Sequence, residues 1–174
     1  MKKLFLLFFL FLFFLQVSFL PALLEGGSVN LMLATVVSLF LLTSFEESLL
    51  WLFLAGLLFE SFSFSFFGSG LLSFLLAGIV VFITKGFLLA EGKQTQSTYL
   101  IFALAKPVFD LGFWFSEEVF YFFRKTDVEI NFPFSEWVYL WELVVFVLAS
   151  SLILRVFVKI KNIYSDNSKE IKLS

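Results

Sequence analysis

The sequence predicts an all-α integral membrane protein, built as a bundle of six transmembrane helices. Three observations predict this fold class. Of the 174 residues, 60% are hydrophobic and the mean hydropathy is +1.00, well above the composition of soluble domains. Long apolar runs alternate with short polar turns, as expected for helices that cross a bilayer. Most lysines and arginines fall on one side of the resulting topology, which is typical of a multi-pass protein.

The first two helices are predicted from apolar runs that flank a Gly-Gly turn. Residues 4–24 follow two lysines and are long enough to span at about 20 residues. A cleaved signal peptide is the alternative, but no small-x-small cleavage site follows. We expect Gln16 near the far interface, or else as a hydrogen-bond donor between helices. Asn30 is predicted to cap a short second helix over residues 31–42.

The third and fourth helices are predicted over residues 47–59 and 70–89, joined by a turn of serines and glycines. Glu60 lies where the third helix leaves the apolar layer. A carboxylate at this depth needs hydrogen-bond donors. We therefore expect Glu60 to accept hydrogen bonds from the hydroxyls of Ser63 and Ser65 or from backbone N–H groups of its turn.

The fifth helix, predicted over residues 98–123, carries charges inside an apolar segment. Lys106 and Asp110 are four residues apart, so they share one helix face and can pair. Pro107 is expected to kink the helix. An ion or proton relay, or a polar contact with a partner, is the functional interpretation. A pair with no chain of further titratable groups favours an internal salt bridge instead.

The last helix is predicted over residues 135–158, with an aromatic belt at its outer end formed by Trp137, Tyr139 and Trp141. Glu142 lies one turn deeper, and Lys106 and Arg124 are its candidate partners. We expect Glu142, like Glu117, to be solvated at the interface.

The predicted topology places both termini in the cytoplasm and divides the chain into two parts. Residues 1–162 form one six-helix transmembrane domain, and residues 163–174 form a polar cytoplasmic tail without regular structure. Lys85 is expected to extend to the headgroups. The predicted cytoplasmic side holds Lys2, Lys3, Lys85, Lys93, Arg155, Lys159 and Lys161, and the outer side holds Arg124 and Lys125.

The composition also limits the chemistry. The chain has no histidine and no cysteine, which removes the Ser-His and Cys-His dyads and the commonest metal ligands. A net charge of −2 offers no argument for a nucleic-acid partner. Gly-rich phosphate loops and Asp-rich calcium loops are absent from the sequence. We expect a protein that is not an enzyme and needs no cofactor.

The stretch before and after Glu60 resembles a motif of the rod shape-determining protein MreD family. That motif reads Gly-Phe-x-x-Gly-Leu, an apolar pair, then Asp-x-x-Ser-x-x-Pro-x-Gly. Glu60 stands for the Asp, while Leu52 and Phe66 replace the first Gly and the Pro. Including Glu60, six residues correspond to the motif: Phe53, Gly56, Leu57, Glu60, Ser63 and Gly68.

The resemblance implies a non-enzymatic component of the cell-elongation machinery in the bacterial cytoplasmic (inner) membrane. Its implied partners are an MreC-like protein and, directly or indirectly, RodA with its penicillin-binding transpeptidase. The alternative is a substrate-binding subunit of an energy-coupling-factor vitamin transporter, which is a similar six-helix bundle. Those subunits dock through small residues in the first helix, whereas residues 4–15 here are only Leu and Phe. Few polar residues are available to line a ligand pocket.

Overall fold

The computed structural model describes residues 2–19, 30–62, 68–89, 94–124 and 137–170, and within them the chain is entirely helical apart from short caps and turns. The first helix continues beyond its α-helical part into one π-helical turn at Leu15–Phe19. The helices are α1 (Lys2–Phe14), α2 (Leu31–Leu42), α3 (Phe45–Phe62), α4 (Ser69–Leu89), α5 (Gln94–Arg124) and α6 (Trp137–Glu170).

The six helices follow the predicted order, and the differences lie at their ends. α5 begins at Gln94 rather than at residue 98. α6 continues to Glu170 instead of ending near residue 158, so the first part of the predicted unstructured tail is helical. A helix can continue beyond the apolar layer because its backbone hydrogen bonds are satisfied internally. Residues 125–136, between α5 and α6, lie outside the described residues.

Three helices are long and apolar enough to cross a membrane: α4 over Ser69–Phe87, α5 over Ser97–Phe122 and α6 over Val138–Ile163. By length and composition, the chain is therefore a membrane protein. The apolar segments Lys3–Ser18 and Leu31–Leu42 are shorter. α3 has 18 residues and contains three carboxylates, Glu46, Glu47 and Glu60. The described residues form the predicted number of helices. That α1, α2 and α3 also cross the membrane stays a prediction.

α2 lies at the centre of the bundle. Every residue from Leu31 to Phe40 is buried, and α2 packs against all five of the other helices. With 12 residues it is about 18 Å long at 1.5 Å per residue, shorter than the roughly 30 Å hydrocarbon core. Its start, at Asn30 and Leu31, is buried, whereas Leu41 and Leu42 at its end are partly exposed. In an apolar surrounding, the backbone groups of both ends need hydrogen-bond partners from neighbouring helices.

The outer faces of the bundle are apolar. Large hydrophobic side chains on the surrounding helices are more than half exposed, including Leu7, Phe87, Phe122 and Leu148. Inside, phenylalanine rings pack edge to face, as between Phe74 and Phe109 at a centroid distance of 4.8 Å. An apolar exterior over a packed aromatic interior is the arrangement expected when lipid is the solvent.

Candidate functional site

The start of α4 is capped by a carboxylate from the end of α3. Glu60 Oε1 accepts hydrogen bonds from the backbone N–H groups of Gly68 and Leu71, each at 2.8 Å. These donors belong to the first turn of α4, where backbone N–H groups have no partner within the helix and the helix dipole favours a negative charge. The prediction that Glu60 is held by backbone donors of its own turn is confirmed. Ser63 and Ser65 lie outside the described residues.

Glycines allow the two helices of this hairpin to approach closely. A Cβ at Gly56 would lie 2.7 Å from Leu71 Cδ1 and 3.1 Å from Leu71 Cα, so a larger residue would push α3 away from α4. Gly68 has a φ of +104°, a conformation that other residues rarely adopt. Gly56, Glu60 and Gly68 together form what we call the α3–α4 clamp.

The second carboxylate oxygen of Glu60 has a different environment. Glu60 Oε2 is buried and has no hydrogen-bond partner among the described residues. A buried polar atom without a partner is costly. The clamp therefore depends on the two charge-assisted hydrogen bonds to Oε1 to hold the carboxylate in place.

The clamp includes some but not all of the six motif residues. Phe53 points outward, with 52% of its surface exposed, and Leu57 is half-buried. Neither takes part in the capping. Ser63 lies outside the described residues, so its predicted part in the turn stays a prediction.

The start of α2 is capped in a similar way from the end of α1. Gln16 Oε1 accepts a hydrogen bond from Met32 N–H at 2.8 Å, and Asn30 Oδ1 accepts one from Leu33 N–H at 2.9 Å. The prediction that Asn30 caps this helix is confirmed. Gln16 makes the hydrogen bond between helices that was one of its two predicted alternatives, as an acceptor rather than a donor. Its position near the far interface stays a prediction. Gln16 lies in the π-helical turn at Leu15–Phe19, which changes the direction of its side chain.

The end of α2 is capped by two lysines. Lys85 Nζ of α4 donates to Phe40 O at 2.6 Å, and Lys161 Nζ of α6 donates to Leu42 O at 3.0 Å. Cations are favourable at a helix C-terminus, where carbonyl groups lack partners. Lys85 was expected to extend to the headgroups. Its ammonium group contacts the end of α2, and its position relative to the headgroups stays a prediction.

A charged cluster joins α5 to α6. Lys106 Nζ lies 2.8 Å from Asp110 Oδ2 and 3.5 Å from Glu142 Oε2, which confirms the predicted salt bridge and one of the two candidate partners of Glu142. The Tyr139 hydroxyl donates to Asp110 Oδ2 at 2.9 Å, and its ring centroid lies 4.9 Å from Lys106 Nζ. We call these four residues the α5–α6 cluster.

The cluster lies inside the bundle and contains more acidic than basic side chains. The Lys106 side chain is only 4% exposed, whereas those of Asp110 and Glu142 are 18% and 20% exposed. One ammonium group faces two carboxylates, so with all three ionised the net charge is negative. Glu142 is therefore not simply solvated as expected. Pairing offsets much of the cost of placing these charges in an apolar layer.

Two further expectations are corrected by the structure. Glu117 is buried, with 7% of its surface exposed, because α5 turns this face toward the bundle rather than the interface. Tyr139 contacts Lys106 and Asp110 rather than serving only in an aromatic belt. Sequence reasoning also missed the capping role of Lys85 and Lys161. The available signal for such a role was a lysine with no acidic residue nearby in an apolar helix.

The arrangement provides positioning rather than an obvious reaction site. The capped helix ends and the α5–α6 cluster fix how neighbouring helices pack. Among the described residues, no group of three or more acidic side chains could hold a metal ion. The chain matches no protein-family model, and no curated protein or solved structure shows significant similarity to it.

Proposed function

We propose that this protein is a non-enzymatic component of the bacterial cell-elongation machinery, related to the rod shape-determining protein MreD family. In this proposal all six helices cross the bacterial cytoplasmic (inner) membrane as a bundle like that of the small energy-coupling-factor subunits. Both termini lie in the cytoplasm. The protein binds an MreC-like protein and helps to organise peptidoglycan synthesis by RodA and its penicillin-binding transpeptidase.

The α3–α4 clamp is the observation that supports this proposal. Gly56, Glu60 and Gly68 correspond to three positions of the family motif, and they meet in one hairpin of the folded chain. The three residues provide, respectively, close approach of the helices, capping of α4 and a left-handed turn. A motif whose spaced positions converge on one hairpin is better support than a match in sequence alone.

The exposed helix faces supply the surface that such a protein needs. A protein that acts by holding partners in a membrane works through its helix faces and the turns between them. α6 has exposed Trp141 and Leu148 beside the partly exposed carboxylates of the α5–α6 cluster. This face combines apolar contact area with negative charge and suits a partner helix that carries a basic residue.

Co-purification tests the proposal. The tagged chain, extracted from its own membrane in mild detergent, is expected to retain an MreC-like protein. Glu60→Ala should retain less of it, because the first turn of α4 loses its cap. Glu46→Gln, which removes an exposed carboxylate from the same helix α3, serves as the matched control. Retention of a vitamin without any MreC-like protein would contradict the proposal and support the transporter alternative.

A further inference from the structure

An apolar hollow of about 690 Å³ lies between the beginning of α3 and the end of α4. Its wall is formed mainly by side chains that are each close to half exposed or more: Phe45, Phe82, Ile83 and Phe87. In a membrane, an open apolar hollow of this kind is filled by hydrocarbon chains. Filling alone does not select one lipid over another.

Two ammonium groups bind carbonyl oxygens at the end of α2, whose Phe40 lines this hollow. Lys85 lines the hollow itself and donates to Phe40 O, and Lys161 donates to Leu42 O two residues further along. An ammonium group has three N–H donors. One described hydrogen bond on each lysine therefore leaves donors for an anion at the mouth of the hollow.

The acidic residues of this end do not line the hollow. Glu46 and Glu47 lie in the first turn of α3. Glu46 is exposed, and Glu47 lines a separate hollow of about 190 Å³ with Thr43 and Trp51. Arg155 and Lys159 of α6 line a third hollow. The charge that faces the apolar hollow is thus positive.

We propose that this hollow binds an anionic phospholipid, with one acyl chain against Phe82 and Phe87 and the phosphate on the ammonium groups of Lys85 and Lys161. The aromatic wall accepts the chain of any phospholipid, so the two lysines supply the preference for a negative headgroup. This inference does not depend on the proposed function.

Competition between two lipids tests the proposal. The full chain is purified in mild detergent with equal amounts of phosphatidylglycerol and phosphatidylethanolamine, and bound lipid is measured by mass spectrometry. Phosphatidylglycerol is expected to be retained preferentially. Lys85→Gln should lower its preference over phosphatidylethanolamine by about fivefold, the effect of one lysine beside an anionic headgroup. Lys159→Gln removes a charge from the same end but not from this hollow, and should leave the preference unchanged.

A second variant separates lipid binding from folding. Gly86 lines the hollow, and a Cβ at Gly86 would have no neighbour within 4 Å. Gly86→Leu should therefore fold, fill the hollow without changing any charge, and reduce the bound phosphatidylglycerol. If Lys85→Gln fails to fold, Gly86→Leu still tests whether phosphatidylglycerol binds in the hollow. Unchanged lipid retention in Gly86→Leu, or an equal loss of preference in Lys159→Gln, would overturn the proposal.

Discussion

Glu60 shows how one side chain can determine the geometry of a hairpin. Its Oε1 atom accepts from the N–H groups of Gly68, which directly precedes α4, and of Leu71 in α4, while the carboxylate itself belongs to α3. The position of the acid between an apolar run and a glycine-containing turn was enough to predict that its own turn would hold it. The choice of the backbone of Gly68 and Leu71 could not be predicted, because it depends on how closely the helices approach at Gly56.

Replacing Glu60 should destabilise the fold. Glu60→Ala leaves two partly buried N–H groups at the start of α4 without their partner, which we expect to cost about 1–3 kcal/mol. The measurement is thermal unfolding in detergent, where the variant should have a lower Tm. Glu46→Ala removes an exposed carboxylate from the same helix and should change stability by less than about 0.5 kcal/mol. Equal Tm values for the two variants would show that the cap does not stabilise the hairpin.

Polar contacts within one helix could be predicted from the sequence, whereas several of those that join two helices could not. Lys106 and Asp110 lie one turn apart in one helix, so helical periodicity was sufficient to predict their pair. The hydrogen bond from Tyr139 joins residues 29 positions apart in sequence, and that from Lys161 to Leu42 joins residues 119 apart. Such contacts depend on which helices become neighbours, and the periodicity of one helix does not predict its neighbours.

The α5–α6 cluster predicts a difference between its members. Lys106→Met leaves Asp110 and Glu142 without their shared cation, and we expect a loss of about 3–5 kcal/mol, as for a broken buried ion pair. Asp110→Asn should cost less, because Lys106 keeps Glu142 as a partner and the amide oxygen can still accept from Tyr139. Thermal unfolding of both variants in the same detergent gives the comparison. A larger loss in Asp110→Asn would show that Lys106 is not the centre of the cluster.

The whole molecule is organised around a helix, α2, whose residues from Leu31 to Phe40 are all buried. Composition and hydropathy predicted a helical membrane protein and six helices. The burial of every residue from Leu31 to Phe40 could not be predicted from the sequence, since an apolar helix facing lipid and one facing protein have similar compositions. The length of α2, 12 residues, was the one signal, because so short a helix does not match the bilayer.

The same capping device appears in two hairpins of the molecule. Gln16 at the end of α1 accepts from the start of α2, and Glu60 at the end of α3 accepts from the start of α4. In an apolar surrounding, N–H groups of a helix start cannot rely on water. A polar side chain at the end of the preceding helix satisfies them and joins the two helices at the same time.

Enclosure of α2 within a lipid-facing bundle is the central claim, and photolabelling of the native chain tests it most directly. A lipid-soluble carbene reagent is activated in reconstituted bilayers, and the labelled positions are mapped by mass spectrometry. Exposed residues such as Leu7, Phe87 and Leu148 should be labelled, and residues 31–40, all buried, should not. Labelling of residues 31–40 to the same extent as α4 and α6 would contradict the enclosed central helix, and absence of label throughout the chain would contradict its place in the membrane.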